Sequence, residues 1–487
     1  MESLKSAGSA PAPPTARPHV VLLASPDAGH LIPLCELTRR LVEHHGFSAT
    51  VVTFHSLSER QTLPSSLPAA VTIAPLPAVQ IDDLPADALR PTVLVELIRR
   101  SLPSLRTLLR SINSTTPIAA LVPDFLCSTA LPLAAELGVP AYIFFTTNIN
   151  HLYLVHRLVE LHEGASPGEY RAITDPLEIP GGLSLRRADL PEGYRSSEEP
   201  VYARLLAAGR RYRLAHGFLA NSFSDMEPAA VEAFRQVAEQ GAFPPVFPVG
   251  PLVRSESDEE AAAGAWPLLE WLDGQPARSV VFVSFGSGGT LSVEQTAELA
   301  AGLEASGHRF LWVVRMPSLD GRSQAFGAGA DDDDPLAWLP QGFVQRTQER
   351  GLAVAAWAPQ VRVLSHPATA AFVSHCGWNS TLEAAVAGVP MIAWPLHTEQ
   401  RMNAFLLEES LGVALRPRAR EDGGVVAREE VEAAVKELME GGKGRAVRRR
   451  AEELRQAAAR AVSPEGSSRQ ALEDVAAKWK AALSHGP

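Results

Sequence analysis

Cysteine is scarce in this chain: Cys35, Cys127 and Cys376 are the only three in 487 residues, far apart and without metal-ligand spacing. That excludes a disulfide-stapled scaffold and a zinc module, and reads as reduced thiols in a cytoplasmic protein. Positive charge is short as well. Lys and Arg number 44 against 55 Asp and Glu, a formal net charge of −11. A nucleic-acid partner calls for a basic face, so that class is excluded. The longest apolar runs, such as VVLLA and VVFVSF, are strand-length, far below the roughly twenty residues of a membrane span. Residues 1–18 are rich in Pro, Ala and Ser, lack the apolar core of a signal peptide, and read as a disordered tail. Without a secretion signal, the N-glycosylation triplets at Asn113 and Asn379 carry no weight.

Short apolar runs alternating with amphipathic segments fill the remainder, the pattern of parallel sheets wrapped by helices. Hydrophobic residues at 46% and charged ones at 20% suit a globular protein too long for one core, so two domains are expected. Candidate strands are His19–Ala24, Ser48–Phe54, Ala119–Asp124 and Ala141–Phe145, then Val280–Phe285, Phe310–Arg315, Leu352–Ala356, Ala371–Ser374 and Met391–Trp394. Helices are expected over Leu31–His44 and Leu94–Leu109. Periodicity fails around Gly250–Trp266, the expected linker, and the acidic run Asp331–Asp334 reads as a solvated loop without chemistry.

Several turns carry chemistry. In SHCGWNSTLE a strand runs through small polar residues into a helix, an arrangement that presents backbone N–H groups to a phosphate. Ser374, His375, Asn379 and Ser380 add side-chain donors, and Glu383, one helical turn on, can accept from two sugar hydroxyls. Trp357 opens this stretch and Glu399 and Gln400 close it. An aromatic for a base, donors for a diphosphate and carboxylates for hydroxyls describe a nucleotide-sugar site. GSGGT after VVFVSF is either a plain loop or a second anion turn, and it does not fit G-x-G-x-x-G. In the first half, HVVLLA ends in SPDAGHLIPL, which leaves His30 at the carboxyl end of a strand: a general base or a satisfied structural histidine. Asp124, ending AALVPD, is either a helix cap or a partner for that imidazole.

The stretch Trp357–Gln400, ungapped, resembles the signature box of the plant family 1 UDP-glycosyltransferases, and SFGSGGTLSVEQ and LPQGFVQRTQERG resemble its hydroquinone and monolignol glucosyltransferase branch. The resemblance implies an α/β GT-B fold, two facing Rossmann-like domains with parallel sheets. It makes His30 the catalytic base and Asp124 its orienter. Ser287, His375, Asn379 and Ser380 fall on the diphosphate, Trp357, Ala358 and Gln360 on uracil, Glu383 on ribose, Trp378 near the sugar, and Glu399 and Gln400 on the hexose. A closing glutamine accompanies glucose, so UDP-glucose is the expected donor. Trp394 and the histidines 44, 45, 151 and 366 are expected to be structural. Asp27 departs from the uncharged residue usual in this turn. Its carboxylate either raises the pKa of His30 or caps the following helix, and the cap is favoured.

The expected division is a tail (1–18), an acceptor domain (19–249), a linker (250–266), a donor domain (267–465) and a final helix (466–487) that packs back on the first domain. The chain is expected to act as a monomer on UDP-glucose and a small phenol, inverting the anomeric carbon and requiring no metal or other cofactor. Phe125, Phe144 and Tyr153 are the candidate acceptor pocket, within variable segments that also include Ile81–Pro91 and Leu185–Tyr202. N- or C-glucosylation remains open, as do an epimerase and a silent UDP-sugar binder.

Overall fold

A computed structural model describes residues 17–26, 28–54, 67–84, 90–166, 168–255, 266–318, 334–355, 357–420 and 424–484. Asp27, residues 1–16 of the tail, most of the expected linker and residues 331–333 of the acidic run lie outside the described residues. Asp334 caps a short 3-10 turn.

The first half is a parallel sheet. Strands β1 (His19–Leu23), β2 (Ser48–Phe54), β3 (Val71–Leu76) and β4 (Ile118–Pro123) pair in the order β3-β2-β1-β4. Parallel bridges Leu121–Ala141 and Asp124–Phe144 carry the sheet on to β5 (Tyr142–Phe145). A small antiparallel hairpin, β6 (Leu177–Ile179) and β7 (Leu183–Leu185), stands apart. The sheet then continues from β5 through β8 (Gly217–Ala220) to β9 (Val246–Pro248).

The second half repeats the plan. Strands β10 (Val280–Ser284), β11 (Arg309–Val314), β12 (Gly351–Ala355), β13 (Thr369–Ser374), β14 (Met391–Ala393) and β15 (Ala414–Leu415) lie in the order β12-β11-β10-β13-β14-β15. That is the doubly wound order, built by right-handed crossovers that put helices on both faces. Strand alternation divides each core in two. Val20 and Leu22 of β1 face one cluster while Val21 and Leu23 face the other. On β10, Val280 and Phe282 oppose Val281 and Val283 in the same way.

The first helix, Ala28–His45, starts earlier than the sequence suggests and takes His30 into its first turn. Its Pro33 sits at a position whose missing N–H leaves a gap in the helical ladder. The final helix, Ser467–Ser484, leaves the second half and lies on the first. Leu472, Val475, Ala476 and Trp479 are buried there with Val20, Leu22, Val122 and Phe144. Trp479 is 1% exposed, edge-on to Tyr142 at 5.3 Å and Phe47 at 5.9 Å. Among the described residues no helix is long and apolar enough to cross a membrane.

Removing a buried aromatic costs the transferred surface and leaves a cavity. Trp479→Ala is therefore expected to lower unfolding stability by roughly 3–5 kcal/mol, read from the urea midpoint at constant slope. A loss below about 1 kcal/mol would show that this side chain does not anchor the helix.

Candidate active site

In a doubly wound sheet the crossovers on either side of the first strand leave in opposite directions and open a crevice at the carboxyl ends. Here the crevices lie between β1 and β4 in the first half and between β10 and β13 in the second. His30 follows β1, Asp124 follows β4, Gly286 follows β10 and His375 follows β13. Every turn that carried chemistry in the sequence ends at one of these points.

Asp124 is fully buried. Its Oδ1 accepts the Leu126 N–H at 3.0 Å, capping the turn Phe125–Ala130, and its Oδ2 lies 2.8 Å from His30 Nδ1. The cap and the imidazole partner are thus one residue using two oxygens. An ionised carboxylate only accepts, so Nδ1 carries the proton and Nε2 is left as the basic nitrogen. Thr146 Oγ1 is 3.1 Å from the same Nδ1. The His30 side chain is 19% exposed and rests against the Phe125 ring at 5.2 Å, which in turn meets Phe145 at 5.0 Å.

On the donor side the helix Trp378–Ala387 begins at Gly377 with no side-chain cap. Its first backbone N–H groups point into the crevice without helical acceptors, and the helix dipole adds to their pull on an anion. The His375 ring is clamped between two glycines. A β-carbon on Gly286 (φ +72°) would sit 2.6 Å from Cε1, and one on Gly377 2.4 Å from Nε2. This close approach explains the glycine-rich turn. Burial, aided by the neighbouring His397, pushes the imidazole pKa down to about 3, so it is a neutral hydrogen-bonding group. Its Nδ1 is buried without a protein partner. Ser287 stands exposed in the turn, and the Arg315 guanidinium, at the end of β11, donates to the Gly286 carbonyl at 3.3 Å.

Trp357 is 47% exposed, a free aromatic face, beside buried Ala358. Gln360 Nε2 donates to Ser380 Oγ at 2.8 Å and to Glu383 Oε2 at 2.5 Å, holding that carboxylate at the mouth of the box. Gln400 is buried, and its Oε1 accepts from the Leu396 and His397 N–H groups at 2.9 and 3.0 Å, stapling the loop that carries Glu399. Glu399 heads the helix Gln400–Phe405.

The two halves meet through buried polar contacts. Asn148 Nδ2 donates to Asn403 Oδ1 at 2.6 Å, and Asn403 Nδ2 to the Cys376 carbonyl at 2.8 Å. Trp378 Nε1 donates to the Asn221 carbonyl at 2.7 Å. Asn379 Nδ2 donates to the Gly29 carbonyl at 2.7 Å, and Arg416 pairs with Asp189 at 2.7 Å.

Three of the expected site side chains are committed to packing contacts. The Trp378 side chain is 5% exposed and committed to the core and to Asn221, so only its backbone can face a sugar. Phe144 faces the opposite side of the sheet from Phe125, among Leu22, Val122 and Leu219, and its neighbour Phe145 takes the place assigned to it. Tyr153 lies edge-on to Phe234 and His156, against the helix Pro228–Glu239. Sequence reasoning also missed Thr146, which follows β5 as Asp124 follows β4, while His151 is buried as a structural residue. The latter ring meets Phe145 at 6.0 Å, and its Nε2 lies 3.1 Å from the Tyr194 hydroxyl. Trp394 is core, edge-on to Phe285, and His366 pairs with Asp273 at 3.2 Å.

Residues 226–448 match the family model described as UDP-glucoronosyl and UDP-glucosyl transferase. Hydroquinone glucosyltransferase of Rauvolfia serpentina is 44% identical over 470 residues, spanning 96% of this chain and 99% of that protein. Among solved structures, Phytolacca americana UGT2 complexed with UDP-2fluoro-glucose and pterostilbene is 41% identical, with TM-score 0.84 over 95% of this chain and 100% of that one. A UDP-glucosyltransferase from Polygonum tinctorium capable of glucosylating indoxyl, in complex with 3,4-dichloroaniline, is 41% identical. Its TM-score is 0.85 over 96% of this chain and 99% of that one.

The depressed His375 pKa has a consequence for stability. The unfolded ring takes its proton near 6.5 and the folded ring only near 3. Its contribution is therefore complete above the first value and lost as pH falls toward the second. In His375→Gln that acid sensitivity disappears. The melting-temperature gap between the two proteins is expected to narrow from about pH 7 to about pH 4. Parallel melting curves would show that the folded ring protonates freely.

Proposed function

Because the chain belongs to the UDP-glucoronosyl and UDP-glucosyl transferase family, we propose that it transfers glucose from UDP-glucose to a small phenol, inverting the anomeric carbon. It is a UDP-glycosyltransferase of GT-B fold acting on a small-molecule acceptor. The observation that carries the finer reading is the His30–Asp124 pair, 2.8 Å apart, facing the uncapped amino end of the helix Trp378–Ala387. A base and an anion hold stand on opposite sides of one crevice.

The chemistry follows from that placement. A phenol seated against Phe125 and Phe145 directs its hydroxyl to His30 Nε2. As that nitrogen takes the proton, the phenolic oxygen forms its bond to C1 of glucose while the bond from C1 to the diphosphate oxygen breaks. The displacement is in line, so an α-linked donor gives a β-glucoside. Buried Asp124 stabilises the imidazolium without becoming protonated, as in other carboxylate–histidine pairs. Negative charge gathering on the departing UDP is met by helix N–H groups, neutral His375 and the helix dipole. These groups do the work that a metal does elsewhere, and the reading requires none. Trp357 offers its open face to uracil and Glu383 its carboxylate to ribose, while Glu399 and Gln400 serve the hexose. Three cysteines, all buried, suit a cytoplasmic setting.

A second acceptor class is favoured by one finding: the Polygonum tinctorium neighbour is held in complex with an aromatic amine. Amines are nucleophilic without prior deprotonation, so amine transfer is expected to depend less on His30.

His30→Ala is expected to lower turnover with hydroquinone by about 10²–10⁴-fold while UDP affinity, measured by calorimetry, stays near the wild-type value. Near-normal turnover would reject His30 as the base. UDP-glucose is expected to outperform UDP-galactose in kcat/KM with the same acceptor, and equal values would remove Gln400 as the donor selector. The product's anomeric proton coupling reads the stereochemistry, and an α-glucoside would exclude a single displacement.

A further inference from the structure

The contact between Asn379 and Gly29 joins the two chemical halves of the site at one point. Asn379 is the second residue of the helix Trp378–Ala387, in the donor half. Its Nδ2 donates to the carbonyl of Gly29, which immediately precedes His30 in the first turn of the helix Ala28–His45. A helical carbonyl ordinarily accepts the N–H four residues on. For Gly29 that residue is Pro33, which has no N–H, and its ring crowds the carbonyl it should have bonded. The sequence thus removes the helix's own donor from Gly29, and the opposite half supplies one at 2.7 Å. With its nitrogen committed to Gly29, the Asn379 side chain has only Oδ1 left, which is buried and unpartnered.

We propose that Asn379 is a positioning residue for the base: through the Gly29 carbonyl, to which Pro33 can give no helical N–H, the donor half fixes where His30 points. The two helix amino ends converge at this bridge. Like ends of two dipoles repel, and an anion between them relieves that repulsion. Donor binding therefore tightens the contact that places the base, so His30 is held best when UDP-glucose is present. A general base displaced by an ångström loses up to about 10²-fold in rate.

This inference rests on the glucosyl-transfer reading, and its test separates the two. Asn379→Ala is compared with the wild type using hydroquinone and the strongly acidic 4-nitrophenol, which ionises without help. kcat/KM for hydroquinone is expected to fall about 10- to 100-fold more than kcat/KM for 4-nitrophenol, whose own loss, with the change in UDP affinity, reads the donor side alone. In a His30→Ala background, the extra hydroquinone loss of Asn379→Ala is expected to vanish, because it acts through a base already absent. Pro33→Ala gives Gly29 a competing helical donor. It is expected to raise the melting temperature yet reduce hydroquinone turnover, sparing 4-nitrophenol. Equal losses on both acceptors with weakened UDP binding, or costs that add in the double variant, would overturn the proposal and leave Asn379 serving the donor alone. A wild-type chain that binds UDP but transfers to neither phenol would overturn the glucosyl-transfer reading itself, and this inference with it.

Discussion

A carboxylate sealed from water must be met by donors, and Asp124, with no exposed surface, obliges the chain to bring them. One comes from its own turn, the Leu126 N–H. The other comes from His30, delivered by a helix that starts after β1. To satisfy one buried charge, the chain must place β1 beside β4 with the first helix entering at the right height. Thr146 arrives at the same nitrogen from β5, so three successive strand ends converge on a single imidazole. The geometry at His30 is thus tied to the parallel order of the first sheet. Loss of Asp124 would strand the histidine's proton rather than merely subtract a hydrogen bond.

The interface between halves works on the same principle. Amide side chains and backbone carbonyls, rather than apolar surface alone, connect Asn148 to Asn403, Asn403 to Cys376, and Trp378 to Asn221. Such contacts are directional, so they define one relative placement of the halves where an apolar seam tolerates sliding. They also gather beneath the donor box: Cys376, Trp378, Asn379 and Asn403 all belong to the loop or helices that line it. The proposed donor site and the contact between halves are built from the same few residues.

Much of this was legible in the sequence, for physical reasons. Strand-to-helix turns with glycine and small polar residues mark carboxyl ends of parallel strands, and His30, Gly286 and His375 all fall at such ends. The dual role of Asp124 was visible only as two competing readings, because a sequence cannot show that one carboxylate has two oxygens in use. Phe144 and Phe145 were inseparable for another reason. All four residues of β5 are buried, so no polar alternation reveals which face each ring takes. Strands β8 and β9 are too short to announce themselves, and the pairing of Asn148 with Asn403 spans more than half the chain. Trp378 is ambiguous in the sequence because a tryptophan inside such a motif invites a ligand role, while the structure puts its ring in the core.

The final helix crosses from the second half to complete the core of the first, with Trp479 wedged against Tyr142 and Phe47. The first half is therefore not a continuous stretch of chain. Its structural unit is the first sheet plus a segment that follows the second half in the chain. Exchange of first halves between related chains, by recombination in nature or by splicing in the laboratory, transplants an incomplete core if it follows the linker alone. A workable exchange needs two crossover points, and shuffling at a single junction pairs one parent's sheet with the other parent's closing helix.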